Sequence, residues 1–340
     1  MNYQKRFLLE KLSLQAMAIA AMAIVYFLIA GLWRPSDPQA GMSLVLSSNL
    51  NGTVGLLLTI WGLAAVIGAI TVFMRPHGAM LIVLFGASGF ALRSASIRAW
   101  LWQYGADLTP MYGGLILELV AGSIVLFVSA VIVDATRRFV AEVRPDWLWQ
   151  SPLEDLTAEQ LAAITHGQAQ DVTESTRVSR YLRPAGSLVA LFKGVVSERR
   201  SGATSLGYAG RSIAAVAMTL AIGMAAVMLL MQSPDRGQVL FALLAGFFLA
   251  ALIVHVIFSP RHSMVIMAAP VLAGVLSYVL GAVTSVDRSP VGWAHVKLYA
   301  RALPVDWLFA GSAGVLLACW VAHRHHEWKT MERIYEDVTS

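Results

Sequence analysis

The sequence predicts an all-α, polytopic integral membrane protein with about eight transmembrane helices, in two pseudo-repeated four-helix units joined by a short cytoplasmic helical connector. Three observations predict this fold. Hydrophobic residues make up 57% of the 340 residues and charged residues 13%, whereas a soluble chain has about 45–50% and about 25%. The apolar residues are grouped in blocks of membrane-spanning length, and a pattern of four blocks occurs twice. This composition excludes a soluble enzyme, a disulfide scaffold and a disordered chain.

Eight apolar blocks are long enough to cross a bilayer, which takes about 17–25 residues in a helix. Two pairs of blocks are separated only by short proline-containing segments, Arg75-Pro76-His77 and Ser259-Pro260-Arg261-His262. These segments predict tight hairpins, because proline does not continue a helix. The predicted spans are residues 13–33, 51–74, 78–100, 110–134, 211–233, 237–258, 263–284 and 304–322.

The distribution of basic residues predicts the orientation. Cytoplasmic loops are enriched in Lys and Arg, and most of the 25 Lys and Arg residues fall on the side of the N-terminus when the eight spans alternate. An even number of spans places both termini on that side. We therefore expect cytoplasmic N- and C-termini. Short loops and a single cysteine, Cys319, favour a bacterial inner membrane.

The two halves of the chain share a pattern that indicates an internal repeat. When the sequence is aligned with itself so that His77 matches His262, Gly89 also matches Gly274. Both halves contain the same features in the same order: a span, a hairpin with Pro, Arg and His, a second span and an aromatic outer loop. A proline then opens the last span of each half. Because four spans separate the copies, the repeat would be parallel. Whether it reflects true duplication stays open.

The spans divide the chain into a first four-helix unit, residues 1–136, a cytoplasmic connector, residues 137–210, and a second unit with a cytoplasmic tail, residues 211–340. A capping box at 157–160 predicts a short helix in the connector, and residues 186–196 are typical of an amphipathic helix on a membrane surface. The connector is too short and polar for a catalytic domain, which favours a docking surface.

One short motif matches a catalytic string. Gly86-Ala87-Ser88-Gly89 resembles the string that rhomboid-type intramembrane proteases carry around their serine, and such a serine needs a histidine base at similar depth. His255 lies near the cytoplasmic end of its predicted span instead. Small residues in a transmembrane helix commonly permit close packing. We therefore interpret the motif as a packing motif and do not predict an enzyme.

Two charged residues lie deep within predicted spans, Arg93 in the third and Glu118 in the fourth. Each is about 12–13 Å from the outer surface at 1.5 Å per residue. An unpaired charge there costs several kcal/mol, so we predict an intramembrane ion pair, with Arg98 and Asp107 as polar company nearer the surface. The pair is interpreted as a clamp between the two spans. A site for an ion, a lipid headgroup or a partner's charge is the alternative.

Several histidines are predicted at the cytoplasmic membrane surface, where imidazole could bind zinc, copper or iron. The pattern lacks facing histidines deep in two spans, as a haem site would need. We predict no metal, no haem and no cofactor beyond bound lipid. If a metal binds, His323, His325 and His326 are the weak candidate ligands. The whole set is His77, His255, His262, His323, His325 and His326.

The sequence favours a non-catalytic integral membrane subunit or scaffold of a larger complex. The predicted partners are the lipid bilayer and other membrane subunits that dock on 137–210 or on the transmembrane faces, and not nucleic acid. Two alternatives stay open: a transporter or channel built from two four-helix repeats, and a quinone- or haem-linked redox subunit.

Overall fold

The computed structural model describes residues 3–30, 43, 50–74, 76–94, 97–104, 107–144, 205–258, 265–285 and 296–339. These residues form helices and turns, and no strand occurs among them, which confirms the all-helical prediction. The capping box at 157–160, the segment 186–196 and the hairpin at 259–262 lie outside the described residues.

The helices of the first half are α1 (Tyr3–Ile24, continued as a π-helical turn over Val25–Ile29), α2 (Leu50–Ile70), α3 (Pro76–Arg93), α4 (Arg98–Tyr104) and α5 (Thr109–Val143). Those of the second half are α6 (Ser205–Leu230), α7 (Arg236–Ile257), α8 (Ala268–Ser285) and α9 (Ser312–Thr339). A 3₁₀ turn (Leu298–Arg301) and a π-helical turn (Asp306–Gly311) precede α9.

Six helices of the described part are long and apolar enough to cross a membrane. They are Leu8–Ile29, Thr109–Val143, Gly210–Leu230, Arg236–Ile257, Val265–Thr284 and Asp306–His325. The remaining two predicted spans correspond to shorter apolar helices, Leu57–Ile70 and His77–Arg93. A multi-pass membrane protein is thus supported, and the count of eight stays a prediction.

The third predicted span is interrupted. Residues 78–100 were expected to form one helix, but α3 ends at Arg93 and the separate helix α4 begins at Arg98. The backbone N–H of Ser94 still bonds to Phe90 O at 2.9 Å and closes the last turn of α3. Arg93 and Arg98 flank the break, which places their charges beside the end of the apolar helix.

The last span is the centre of the molecule. Of the 18 most apolar consecutive residues within Asp306–His325, 83% are buried inside the protein, against 22% for the corresponding stretch of Leu8–Ile29. The helix α9 packs along α7 and also contacts α3, while the π-helical turn before it contacts α3, α5, α7, α8 and α9. The helix α1 packs on α3 at the periphery. The C-terminal span therefore joins the two halves.

The two halves share some helix pairings but not all. In each half the helix of the first predicted span packs on that of the third, as α1 on α3 and α6 on α8. The helix of the second span packs on that of the fourth, as α2 on α5 and α7 on α9. The helix α6 also packs extensively along α7. His262 lies outside the described residues, so the equivalence of the two hairpins, and with it the duplication, stays a prediction.

Large apolar side chains cover the outer surface of the helices. Val256 is 84% exposed and Leu229 is 75% exposed. Such exposure is unfavourable in water, where each buried CH₂ gains about 0.8 kcal/mol, but it costs little in lipid. These side chains are consistent with a surface that faces hydrocarbon.

Small residues set the closest helix contacts. A Cβ atom on Gly89 would lie 2.7 Å from Met22 O of α1, and one on Gly86 would lie 2.7 Å from the side chain of Leu63. Ser88 Oγ donates to Leu84 O of its own helix at 2.8 Å. The motif of residues 86–89 therefore packs α3 against its neighbours, in agreement with the packing interpretation.

We predict that Gly314→Ala lowers stability, because a Cβ there would overlap Leu244 O and lie 3.0 Å from Phe248 N, both backbone atoms of α7. Overpacking typically costs about 1–3 kcal/mol. The matched control is Gly62→Ala, where nothing lies within 4 Å and helix propensity favours Ala. Thermal unfolding in detergent measures both. Equal stability of the two variants would contradict the close contact of α7 and α9.

Candidate functional site

The predicted residue Glu118 is fully buried in α5. Its Oε2 accepts a hydrogen bond from Ser43 Oγ, a residue far away in the sequence. Tyr278 of α8 interacts electrostatically with both Glu118 and Asp306. Glu118 thus belongs to a buried polar region between α5, α8 and the π-helical turn, as expected for an ionisable group that a membrane protein keeps away from lipid.

The other residues of the predicted pair site have separate contacts. The Arg93 guanidinium lies over the Tyr26 ring, with its Cζ 5.3 Å from the ring centroid, a cation–π contact. Asp107 Oδ1 accepts from Thr109 N at 2.9 Å, just before α5. The contacts of Arg93 and Glu118 described here go to different partners. The Arg93–Glu118 ion pair stays a prediction.

Arg98 lies near Arg301, which ends the 3₁₀ turn before α9. Burial lowers the pKa of the Arg301 guanidinium, Tyr112 acts in the opposite direction, and the positive charge of Arg98 lowers it further. Arg301 Nε donates to Val296 O at 3.0 Å. Two arginines therefore lie near each other at the end of the molecule that the sequence places outside.

A buried ion pair that the sequence analysis missed joins α7 to the π-helical turn. Arg236 Nη1 donates to Asp306 Oδ2 at 2.7 Å, and Arg236 Nη2 donates to Asp306 Oδ1. The side chain of Asp306 is fully buried and that of Arg236 is 16% exposed. This two-point geometry is the strongest form of an arginine–carboxylate contact.

The same ion pair reaches α3. Arg236 Nη2 and Nε both donate to Ala91 O, at 2.6 and 3.1 Å. Asp306 Oδ2 also accepts from Leu303 N at 2.7 Å and so holds the turn that leads into the last span. Ala91 is in the first half of the chain, so this contact ties the halves together. We call Arg236, Asp306 and Ala91 O the outer clamp.

A second set of charged contacts lies at the opposite end of the helices. Arg137 of α5 donates to the carbonyl oxygens of Thr71, Val72 and Met74, at the end of α2. These carbonyls follow the last residue of α2, and Thr71 O also accepts from Met74 N at 2.9 Å. The guanidinium thus ties α5 to the turn that follows α2. Arg324 of α9 binds Glu10 of α1 as an ion pair. Both contacts tie neighbouring helices together.

Three histidines from three helices meet beside the single cysteine. The ring centroids of His77 (α3) and His323 (α9) are 5.4 Å apart, and those of His255 (α7) and His323 are 6.3 Å apart. His255 Nε2 lies 3.1 Å from Cys319 Sγ, and His323 Nδ1 donates to Cys319 O at 2.8 Å. We call these four residues the histidine cluster.

The predicted metal ligands are not gathered around one point. Among the described side chains, no group of three or more His, Cys, Asp or Glu is arranged to hold a metal ion. His323 points into the histidine cluster while His325 is exposed, and the side chain of His326 lies outside the described part. The sequence placed His77, His255 and His323 at one membrane surface, but their mutual contact depends on helix packing.

Comparison with known protein families, with curated proteins and with solved structures finds no match for this chain.

We predict that Asp306→Asn or Arg236→Gln lowers the free energy of unfolding by about 3–5 kcal/mol, because each change leaves a buried charge without its partner. Arg138→Gln is the matched control. It breaks the Arg138–Asp134 pair, in which the arginine is 59% exposed and the carboxylate 4% exposed. Water reaches this pair from the side of the arginine, so a smaller loss than that for Arg236→Gln is expected. Denaturation in detergent measures all three variants. A loss for Arg236→Gln no larger than that for Arg138→Gln would show that the outer clamp is not a stabilising contact.

Proposed function

We propose that this protein is a non-catalytic integral membrane subunit or scaffold of a larger membrane complex. The observation that carries the proposal is the use of its buried charges. Arg236 and Arg324 bind carboxylates of the same chain, and Arg137 binds backbone carbonyl oxygens. Each of these contacts connects two or more helices, and each guanidinium is thereby committed to holding the fold.

Such contacts favour a rigid body over a moving one. A transport mechanism needs helices that change partners around a central site. Here Arg236 joins α7, the turn before α9 and α3, while Arg324 joins α9 to α1. Breaking a buried pair costs about 3–5 kcal/mol. The contacts therefore support a scaffold that keeps one arrangement of its helices.

The long helix α5 offers a place for a partner. Its 35 residues extend about 50 Å at 1.5 Å per residue, whereas the hydrocarbon core is about 30 Å thick. Its last turns hold the exposed side chains of Arg138 and Glu142, and exposed charges belong outside the hydrocarbon. Phe139 and Val143 in these turns are 67% and 64% exposed. Large apolar side chains beyond the lipid support docking of another subunit.

The proposal includes the place and orientation predicted from the sequence. In a bacterial inner membrane with both termini cytoplasmic, the end of α5 faces the cytoplasm and continues into the connector, residues 137–210. The docking surface then includes the end of α5. Other membrane subunits bind this surface from the cytoplasmic side.

We predict that Phe139→Ser with Val143→Ser releases a partner without unfolding the chain. Gentle extraction at native expression, followed by native mass spectrometry, should find the wild type in a larger assembly and this double variant alone. The control is Leu229→Ser with Val256→Ser, two exposed apolar residues within the spans, which should retain the partner. A wild type that is extracted only as a stable monomer would contradict the subunit proposal.

A transporter is the second candidate, because Glu118 is fully buried within the span Thr109–Val143. Ionisable residues inside transmembrane segments frequently mark ion or proton pathways. Glu118 accepts from the Ser43 hydroxyl, and Tyr278 lies nearby, so polar groups surround the carboxyl group.

If the chain transports, we expect proteoliposomes that contain it alone to show an ion or proton flux that Glu118→Gln abolishes. Asp235→Asn is the matched control, since Asp235 is exposed just before α7 and its replacement should retain the flux. Absence of flux with the wild type would contradict this candidate and leave the subunit proposal untouched.

A further inference from the structure

We propose that the histidine cluster is a proton-sensitive contact, which holds α3 against α9 when its imidazoles are neutral and loosens when they take up protons from the adjacent aqueous side. The inference is independent of whether the chain is a subunit or a transporter. It concerns His77, His255, His323 and Cys319, none of which the proposed function uses.

The geometry makes the contact sensitive to charge. The rings of His77 and His323 lie 5.4 Å apart and are inclined by only 31°, and the ring of His255 meets His323 edge-on at 6.3 Å. Neutral imidazoles pack well in this way. Two imidazolium ions at this separation would repel each other strongly, because the protein interior screens charge less than water does.

The hydrogen bonds of the cluster are compatible with neutral rings. His323 Nδ1 donates to Cys319 O at 2.8 Å, so a neutral His323 keeps its second ring nitrogen as an acceptor. His255 Nε2 and Cys319 Sγ share a hydrogen bond at 3.1 Å. In a neutral pair the thiol can donate to the ring nitrogen. Protonation of His255 would turn Nε2 from an acceptor into a donor, so that it would face the thiol with an N–H group.

Lys and Arg outnumber Asp and Glu among the charged groups at this end of the described part. Arg324 is next to His323 in the chain, and its partner is Glu10 of α1. Arg137 of α5 binds Met74 O, three residues before His77. The 3₁₀ turn Val265–Met267 contributes no titratable group. The described titratable and charged groups at this end, on the elements that pack around the cluster, are Glu10 and Lys11 of α1, Asp134, Arg137 and Arg138 of α5, Arg211 of α6, and Arg324 and His325 of α9.

The position of the cluster gives protonation a structural consequence. His77 is in the first half of the chain, and His255 and His323 are in the second. The opposite end of the same interface is held by the outer clamp, in which Arg236 binds Asp306 and Ala91 O. Protonation would therefore loosen one end of the interface while the other end stays joined.

The single cysteine is a native probe of this contact. Cys319 is fully buried, so a thiol reagent reacts only when α9 moves away from its neighbours. The experiment measures the rate of alkylation by N-ethylmaleimide in the full chain in detergent and in the denatured chain at each pH. The ratio of denatured to native rate is the protection of Cys319, and it cancels the pH dependence of the thiol itself.

We expect the protection to fall by about tenfold for each proton taken up on opening as the pH is lowered from 6.5 to 5.5. His77→Gln should remove a large part of the fall, because one member of the closest pair no longer takes up a proton. His325→Gln, an exposed histidine on the same helix, should retain it. If His77→Gln does not fold, His77→Leu takes its place.

Two results would overturn the proposal. One is a protection of the wild type that stays constant from pH 7.5 to 5.5, which would show that opening takes up no proton. The other is a loss of the pH dependence in His325→Gln as large as that in His77→Gln, which would show that the proton is bound outside the cluster. Neither result depends on identifying a partner or a transported ion.

Discussion

The contact between Arg236 and Asp306 is the constraint on which the arrangement of the two halves depends. A carboxylate that is fully buried among apolar helices is tolerated only with a partner and further hydrogen bonds. Here Arg236 supplies the partner, Leu303 N supplies a hydrogen bond, and the carbonyl oxygen of Ala91 accepts from Nε and Nη2 of the guanidinium. Satisfying one charge thus fixes α3, α7 and the start of the last span at the same time.

The same physical requirement shapes the opposite end of the molecule. The turn after α2 is buried, and Arg137 donates to the carbonyl oxygens of Thr71, Val72 and Met74 there. In a membrane, groups of this kind have no water to bond to. The chain therefore places a few arginine side chains where helices end. The apolar faces between them need no specific partner in lipid.

Much of the architecture could be predicted from residue periodicity and composition, because long apolar helices follow from local sequence alone. The packing function of residues 86–89 could be predicted as well, since small side chains permit close approach. The outer clamp could not. Arg236 and Asp306 lie at the starts of two predicted spans, so the sequence indicates opposite charges at one membrane surface. Many arrangements of the helices would nevertheless keep the two side chains apart. The contact of Ser43 with Glu118 joins a loop residue to a span and has no local signal at all.

The burial of Asp306–His325 has a consequence for biosynthesis. A ribosome makes this chain from the N-terminus, so the mostly buried segment Asp306–His325 emerges only after α1 to α8. Until then α3, α7 and α8 lack the segment against which they pack, and small residues that fit closely around it, such as Gly122 beside Leu308 and Gly274 beside Trp307, line an incomplete interior. Chains that stop before residue 306 lack the centre of the structure and not merely its end. Such a chain leaves open the groove between α3, α5, α7 and α8 that Asp306–His325 fills in the folded molecule.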